Sequence, residues 1–177
     1  MNICVFCGSS SGNNPVYARA AQELGHCLAK DNHTLIYGGG NVGLMGIIAD
    51  AVLQNKGKVI GIIPKFLMDR EVGHAGLTSL EIVTSMHERK KRMADLSDAF
   101  IAIPGGWGTL EELAEILTWK QLGLLTQPVG VLNVNGFFDP LLMQMKSMVQ
   151  QGFLREENFS TIKTSNSPEE ILSALIP

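Results

Sequence analysis

Short apolar runs rich in β-branched residues alternate along the chain with longer stretches whose apolar positions recur at helical spacing. The runs at 2–7, 34–37, 58–63, 80–84, 99–103 and 128–134 predict strands. The intervals at 15–30, 43–56, 86–97, 109–124 and 137–151 predict helices, with a last one at 168–176. Several strands, "VIGII" and "AFIAI" among them, are apolar throughout instead of alternating. That pattern marks strands buried on both faces of a parallel sheet. Alternating strands and helices of this kind predict a doubly wound, Rossmann-like α/β fold, with a mainly parallel sheet and helices on both faces. No linker, repeat or low-complexity segment interrupts the pattern, so residues 1–177 are expected to form a single nucleotide-binding domain. The least regular stretch, "PKFLMDREVGHAGLTS" (64–79), is expected to carry a mobile flap.

Three predicted strand ends open into glycine- or serine-rich turns followed by helices: "CGSSSGNNP" (7–15), "YGGGNVGLMG" (37–46) and "PGGWGTLEE" (104–112). Ligands of doubly wound folds bind beyond the carboxyl ends of the strands, where these turns lie. Residues 38–43, "GGGNVG", satisfy G-x-G-x-x-G. The dinucleotide fingerprint also requires an acid at the end of the next strand to hold the ribose diol. Here that strand ends "GIIPK", with Pro64 and Lys65, which argues against a nicotinamide enzyme. The more general reading survives: glycines let backbone amides approach an anion, and a helix N-terminus adds its dipole. Gly39, Gly40, Gly105, Gly106, Trp107, Gly108 and Thr109 are therefore candidates for a phosphate cup. The plainer alternative is that the glycines merely permit tight turns between strand and helix.

Two charged clusters stand near these turns. Thr109 and Glu112 have the spacing of a capping box, and Glu111 that of a first-turn acid favoured by the helix dipole. Against that, a carboxylate beside a phosphate cup repels the ligand unless it has a task there, and both roles stay open for Glu112. In "SMHERKKRMADL" (85–96), four basic residues from Arg89 to Arg92 open a helix and so oppose its dipole. Arg89 and Met93 share one face, while Glu88 and Arg92 have the i,i+4 spacing of a solvated pair.

Composition narrows the field. A chain of 177 residues, 45% hydrophobic and 18% charged, is long enough for a sizeable core. The net charge of −3 offers no basic footprint for nucleic acid or an anionic membrane. "MNICVFCGSS" lacks the basic start of a secretory signal, and no apolar run reaches the length of a membrane span, so a cytoplasmic protein is expected. Cys4 and Cys7 form a C-x-x-C, but in a strand positions three apart face opposite ways, and no second cysteine pair exists. They are expected to be buried structural thiols. His26, His33, His74 and His87 show no metal-ligand spacing, and no metal is expected.

"PGGWGTLEE" with "MHERK", whose Arg89 stands 15 residues before Pro104, resembles the Lonely Guy (LOG) family of cytokinin-activating phosphoribohydrolases, whose members have often been labelled possible lysine decarboxylases. The signature P-G-G-x-G-T-x-x-E is matched at Pro104, Gly105, Gly106, Gly108, Thr109 and Glu112. "CVFCGSS", "YGGGNVGLMG" and "TWKQLG" extend the resemblance from residue 3 to about 124. Trp107 occupies the free position of the signature, where tyrosine or phenylalanine is common.

The resemblance implies hydrolysis of the N-glycosidic bond of a purine nucleoside 5′-monophosphate, AMP or N6-prenylated AMP, to free base and ribose 5-phosphate. It implies catalytic roles for Arg89 and Glu112 and substrate contacts at Lys90, Gly106 to Thr109, Thr118 and Glu71. It further implies a homodimer, with a nucleoside monophosphate as partner and no cofactor. Two other readings stay open: a pyridoxal-phosphate decarboxylase with Lys90 or Lys91 as the imine, and a nucleotide-binding module without turnover.

Overall fold

The computed structural model describes residues 1–68 and 73–176. Seven strands form one sheet: β1 (Asn2–Phe6), β2 (Thr34–Tyr37), β3 (Lys58–Pro64), β4 (Ser79–Val83), β5 (Ala99–Ala102), β6 (Val129–Leu132) and β7 (Ile162–Ser165). The helices are α1 (Pro15–Lys30), α2 (Gly43–Gln54), α3 (Met86–Leu96), α4 (Trp107–Gln121), α5 (Asp139–Gln150), α6 (Glu156–Phe159) and α7 (Pro168–Leu175). The spatial order is β4-β3-β2-β1-β5-β6-β7 and every pairing is parallel.

Strand alternation divides the core in two. Ile3 and Val5 of β1 point to one face, where they pack with α1, α2 and α7. Cys4 and Phe6 point to the other, where they meet Met93 of α3, Leu113 and Ile116 of α4, and Phe138 just before α5. Helices on both faces explain why β5 and β6 are buried at every position. None of the described helices is long and apolar enough to cross a membrane.

The predicted strands and long helices all appear, within about two residues at most ends. The expectation missed β7, "IKTS", because an edge strand exposes polar side chains and lacks a continuous apolar run. It also missed the short helix α6, and it placed the start of α4 at Thr109 instead of Trp107.

β1 sits between β2 and β5, so the chain winds outward from it in both directions. The loops following β1 and β5 therefore part at the carboxyl end of the sheet, and a crevice opens between them. Backbone bonds pin its floor: the Ile103 amide donates to Phe6 O (2.9 Å) and the Gly8 amide to Pro104 O (3.1 Å). The Leu44 amide, in the first turn of α2, donates to Gly8 O (3.0 Å) and ties a third turn to the same point.

Candidate active site

A cavity of about 220 Å³ occupies this crevice. The loop after β1 contributes Cys7 to Ser9, the turn after β2 contributes Gly38, and α3 contributes Met86, Arg89 and Met93. The start of α4 contributes Gly106 to Thr109 together with Glu111 and Glu112. A second cavity of about 210 Å³ adjoins it, sharing Gly8, Ser9 and Gly106 and running past Ser10 to Gly12 and Gly105.

Helix α3 is aimed by its N-terminus. The Ser85 hydroxyl accepts from the Glu88 amide (3.1 Å), and Glu88 Oε2 accepts from the amide and hydroxyl of Thr84 (2.7 Å each). Those bonds hold the Glu88 carboxyl below its usual range. This reciprocal cap turns Met86, Arg89 and Met93 toward the sheet. Arg89 is only 5% exposed. Its Nε donates to Ile62 O (3.1 Å) and its Nη2 to Gly38 O (3.0 Å), so carbonyls at the ends of β3 and β2 hold the guanidinium plane. A buried cation without such partners costs several kcal/mol, on the order of 3–5. A Cβ on Gly38 would lie 2.0 Å from Arg89 Nη2, so only glycine admits this approach.

The start of α4 overturns the capping-box expectation. Gly106 is the N-cap, and no side chain caps the helix. Thr109 is the third helical residue and Glu112 the sixth, beyond the reach of the first-turn amides. Thr109 is 2% exposed, and its Oγ1 has no hydrogen-bond partner among the described residues. The first-turn N–H groups have no acceptor within the helix, so α4 presents uncapped donors beside an unpartnered hydroxyl. A Cβ on Gly106 or Gly108 would meet nothing within 4 Å, and neither residue has a positive φ. Neither packing nor backbone strain explains glycine there. Both leave open space on the cavity side of the helix start.

Glu112 faces the strands. After burial, its charge is the largest influence raising the Cys4 thiol well above its ordinary pKa, so Cys4 stays protonated. Cys4 is a buried structural thiol as expected, whereas Cys7 is only half-buried and belongs to the cavity wall.

Of the residues singled out from sequence, Arg89, Glu112, Gly106, Trp107, Gly108 and Thr109 meet at the first cavity, and Gly105 lines the second. Four others do not. Gly39 and Gly40 stand outside both cavity walls: Gly39 takes φ +77°, its carbonyl accepts from the His74 amide (3.0 Å), and Gly40 pairs with Gly73. That turn braces the segment after β3, which is the plainer role for its glycines. Lys90 turns away to Glu111 and Glu115 of α4. Thr118 lines a different groove, and its hydroxyl donates to Ala114 O (2.7 Å). Glu71 lies outside the described residues. Arg92 pairs not with Glu88 but with Glu81 of β4, through Nε (2.7 Å) and Nη2 (3.0 Å).

Sequence reasoning missed the apolar wall of Leu67, Met45 and Met86. Met86, Arg89 and Met93 lie on one helical stripe, a signal that extends the Arg89–Met93 face by one turn. Among the described residues, no group of three His, Cys, Asp or Glu side chains is placed to hold a metal ion.

A family model described as possible lysine decarboxylase matches residues 45–175. A cytokinin riboside 5′-monophosphate phosphoribohydrolase of Arabidopsis thaliana is 49% identical over 173 residues, which cover 98% of this chain and 81% of that protein. A probable enzyme of the same name from Oryza sativa subsp. japonica is 48% identical, over 98% of this chain and 71% of its own. Among solved structures, the Moco carrier protein from Chlamydomonas reinhardtii has a TM-score of 0.74 at 19% identity, over 98% of this chain and 93% of that one. The molybdenum cofactor binding protein from Rippkaea orientalis gives 0.72 at 24% identity, over 99% and 97%. These two likenesses concern the fold alone. With near-half identity along almost its whole length and the PGGWGTLEE turn seated at the crevice, this chain belongs to the Lonely Guy family, whose model carries the description possible lysine decarboxylase.

Proposed function

We propose that the protein, as a single domain, hydrolyses the N-glycosidic bond of purine nucleoside 5′-monophosphates, AMP or N6-prenylated AMP, releasing the base and ribose 5-phosphate. One observation carries this reading: a buried arginine and a carboxylate share a cavity with an uncapped, glycine-rich helix start.

The first-turn amides of α4 and the Thr109 hydroxyl take the 5′-phosphate, and its charge suits the helix N-terminus. Breaking the ribosyl–purine bond leaves the electron pair on the base and develops positive charge on the sugar. The Glu112 carboxylate faces that cation and accepts a proton from the attacking water, whose oxygen bonds to the anomeric carbon. The proton passes on to the departing base. The Arg89 guanidinium, held by two carbonyls, supplies fixed positive charge for the negative charge building on that base.

The decarboxylase alternative needs a neutral lysine. Burial pulls the Lys90 pKa down, but hydrogen bonds to Glu111 and Glu115 outweigh it and leave the group above its ordinary range. Lys91 is exposed and paired with Asp95. Neither lysine is activated for an imine. The deciding experiment is product analysis with AMP and N6-prenylated AMP side by side. Free base and ribose 5-phosphate are expected. Binding of both nucleotides without release would leave a binding module, and an imine absorbance with pyridoxal phosphate would restore the decarboxylase.

The two arginines of α3 should separate in the same assay. Arg89→Lys keeps the charge but loses the planar fork held by Gly38 and Ile62, and turnover is expected to fall about tenfold. Arg92→Ala breaks only a partly exposed pair and should change stability by no more than about 1 kcal/mol, with little change in rate. Equal damage from both would mean a diffuse basic patch instead of one placed guanidinium.

The proposal includes a homodimer in the cytoplasm. An apolar groove of about 620 Å³ between α4 and α5 is lined by Leu117, Leu141, Met145, Met148 and Phe153, and Phe153 is 85% exposed. An open apolar surface of that kind suits a partner copy. Light scattering on the eluting protein should give twice the 19.2 kDa chain mass, and Phe153→Asp should shift it toward one. A monomeric wild type would remove the dimer.

A further inference from the structure

Three consecutive carbonyls after β2 each accept a hydrogen bond from a different part of the chain. Gly38 O takes Nη2 of Arg89 on α3 (3.0 Å), and Gly39 O takes the His74 amide from the segment after β3 (3.0 Å). Gly40 O takes the hydroxyl of Tyr37, the last residue of β2 (3.1 Å). Three glycines in a row give the backbone wide freedom, and Gly39 stands at φ +77°. The direction in which Gly38 O points is therefore set by whatever holds its two neighbours. His74 is itself anchored: its ring bonds to Asp50 of α2 and to the Gly76 amide (3.1 Å each). Its bond to the turn comes from the main chain, which leaves Tyr37 as the bracing side chain.

Tyr37 is wholly buried in the core on the α1–α2 face of the sheet, with Leu44 and Met45, whereas Met93 and Arg89 approach from the α3 face. It lines neither of the two cavities at the crevice. An effect of its hydroxyl on Arg89 must run through the main chain of the turn. A buried tyrosine hydroxyl needs some partner. Here that partner lies two residues from the carbonyl that holds the guanidinium.

We propose that Tyr37 is a positioning residue: its hydroxyl fixes the Gly38–Gly40 turn from the far side of the sheet and, through Gly38 O, sets the plane of the Arg89 guanidinium. Its effect on turnover rests on the hydrolase reading above, whereas its effect on Arg89 does not.

The test reads Arg89 directly and then the rate. In ¹H–¹⁵N spectra, a guanidinium held by fixed acceptors gives separate, sharp Nη signals, because rotation of the group is slow. Those of Arg89 are assigned by their loss in Arg89→Lys. Tyr37→Phe keeps the ring in the core and removes the hydroxyl. In that variant the Arg89 Nη signals are expected to shift and broaden, with rotation quickened about tenfold, the factor carried by one hydrogen bond of ordinary strength. Exchange protection of the β1 and β5 amides should be retained, which separates a loosened turn from a loosened core. With AMP, kcat should fall about fivefold, as for a slight misplacement of a reacting group, and KM should stay within about twofold. Unchanged Arg89 signals would overturn the brace, and so would equal loss of protection throughout the core. An unaltered kcat, or a raised KM alone, would overturn its part in turnover. If the wild-type protein releases no base, the hydrolase reading has failed, and the Arg89 signals still judge the brace.

Discussion

Glu112→Gln is expected to lower the rate of base release by about 10²-fold or more in a protein that still folds, since removing one stabilising group from a transition state typically costs that much. The substitution preserves shape and removes only the charge. Glu112 is half-buried and, as the sixth residue of α4, lies past the first-turn amides, so the capping of the helix start does not depend on it. What does depend on it is the positive charge of the ribosyl transition state and the proton of the attacking water. The loss should therefore appear in kcat, with KM for AMP nearly constant, because the phosphate donors lie at the other end of the first turn. Near-full activity in a well-folded glutamine variant would remove Glu112 from the chemistry and with it the proposed mechanism.

Adenosine is expected to be a far poorer substrate than AMP, by about 10³-fold in kcat/KM. Two charge-assisted hydrogen bonds from the α4 amides and Thr109, at about 2 kcal/mol each, come to that factor at 1.36 kcal/mol per tenfold. The Thr109 Oγ1 is buried with no partner among the described residues, and Gly106 and Gly108 leave their space open, so an anion here completes donors that the fold leaves unused. Phosphate binding remote from the bond that breaks should assist turnover as well as affinity, because it holds the anomeric carbon against Glu112. Inorganic phosphate and ribose 5-phosphate should compete with AMP. A chelator should leave the rate unchanged. Comparable rates for AMP and adenosine would show that the helix start does not read the phosphate, and a chelator-sensitive rate would reveal a metal requirement.

Much of this architecture was legible before any coordinates. Strands such as "AFIAI" carry apolar residues on both faces, and only helices on both sides of a parallel sheet can cover them. β7 escaped because an edge strand has no such demand placed on it. Within the site, Pro104 to Glu112 was legible because a glycine-rich turn before a helix has few uses other than a tight turn or an anion. The role of "GGGNVG" was not. Its glycines suit a phosphate or a neighbouring side chain equally well, and it is Arg89, arriving from 51 residues further along, that presses on Gly38.

The sequence by itself determined the fold class, the strand-end turns, and the residue types that could hold an anion and meet a cation. Those follow from local rules of periodicity, backbone freedom and helix polarity, which act over a few neighbouring positions. The tertiary structure decided which charges find which partners. It sent Arg92 to Glu81 instead of Glu88, Lys90 to Glu111 and Glu115, and Arg89 to two carbonyls, and it left Thr109 inside a helix whose cap is Gly106. A long charged side chain reaches several partners at similar local cost. The choice among them is made by which strand or helix the sheet order brings alongside, and residues far apart in the chain set that order.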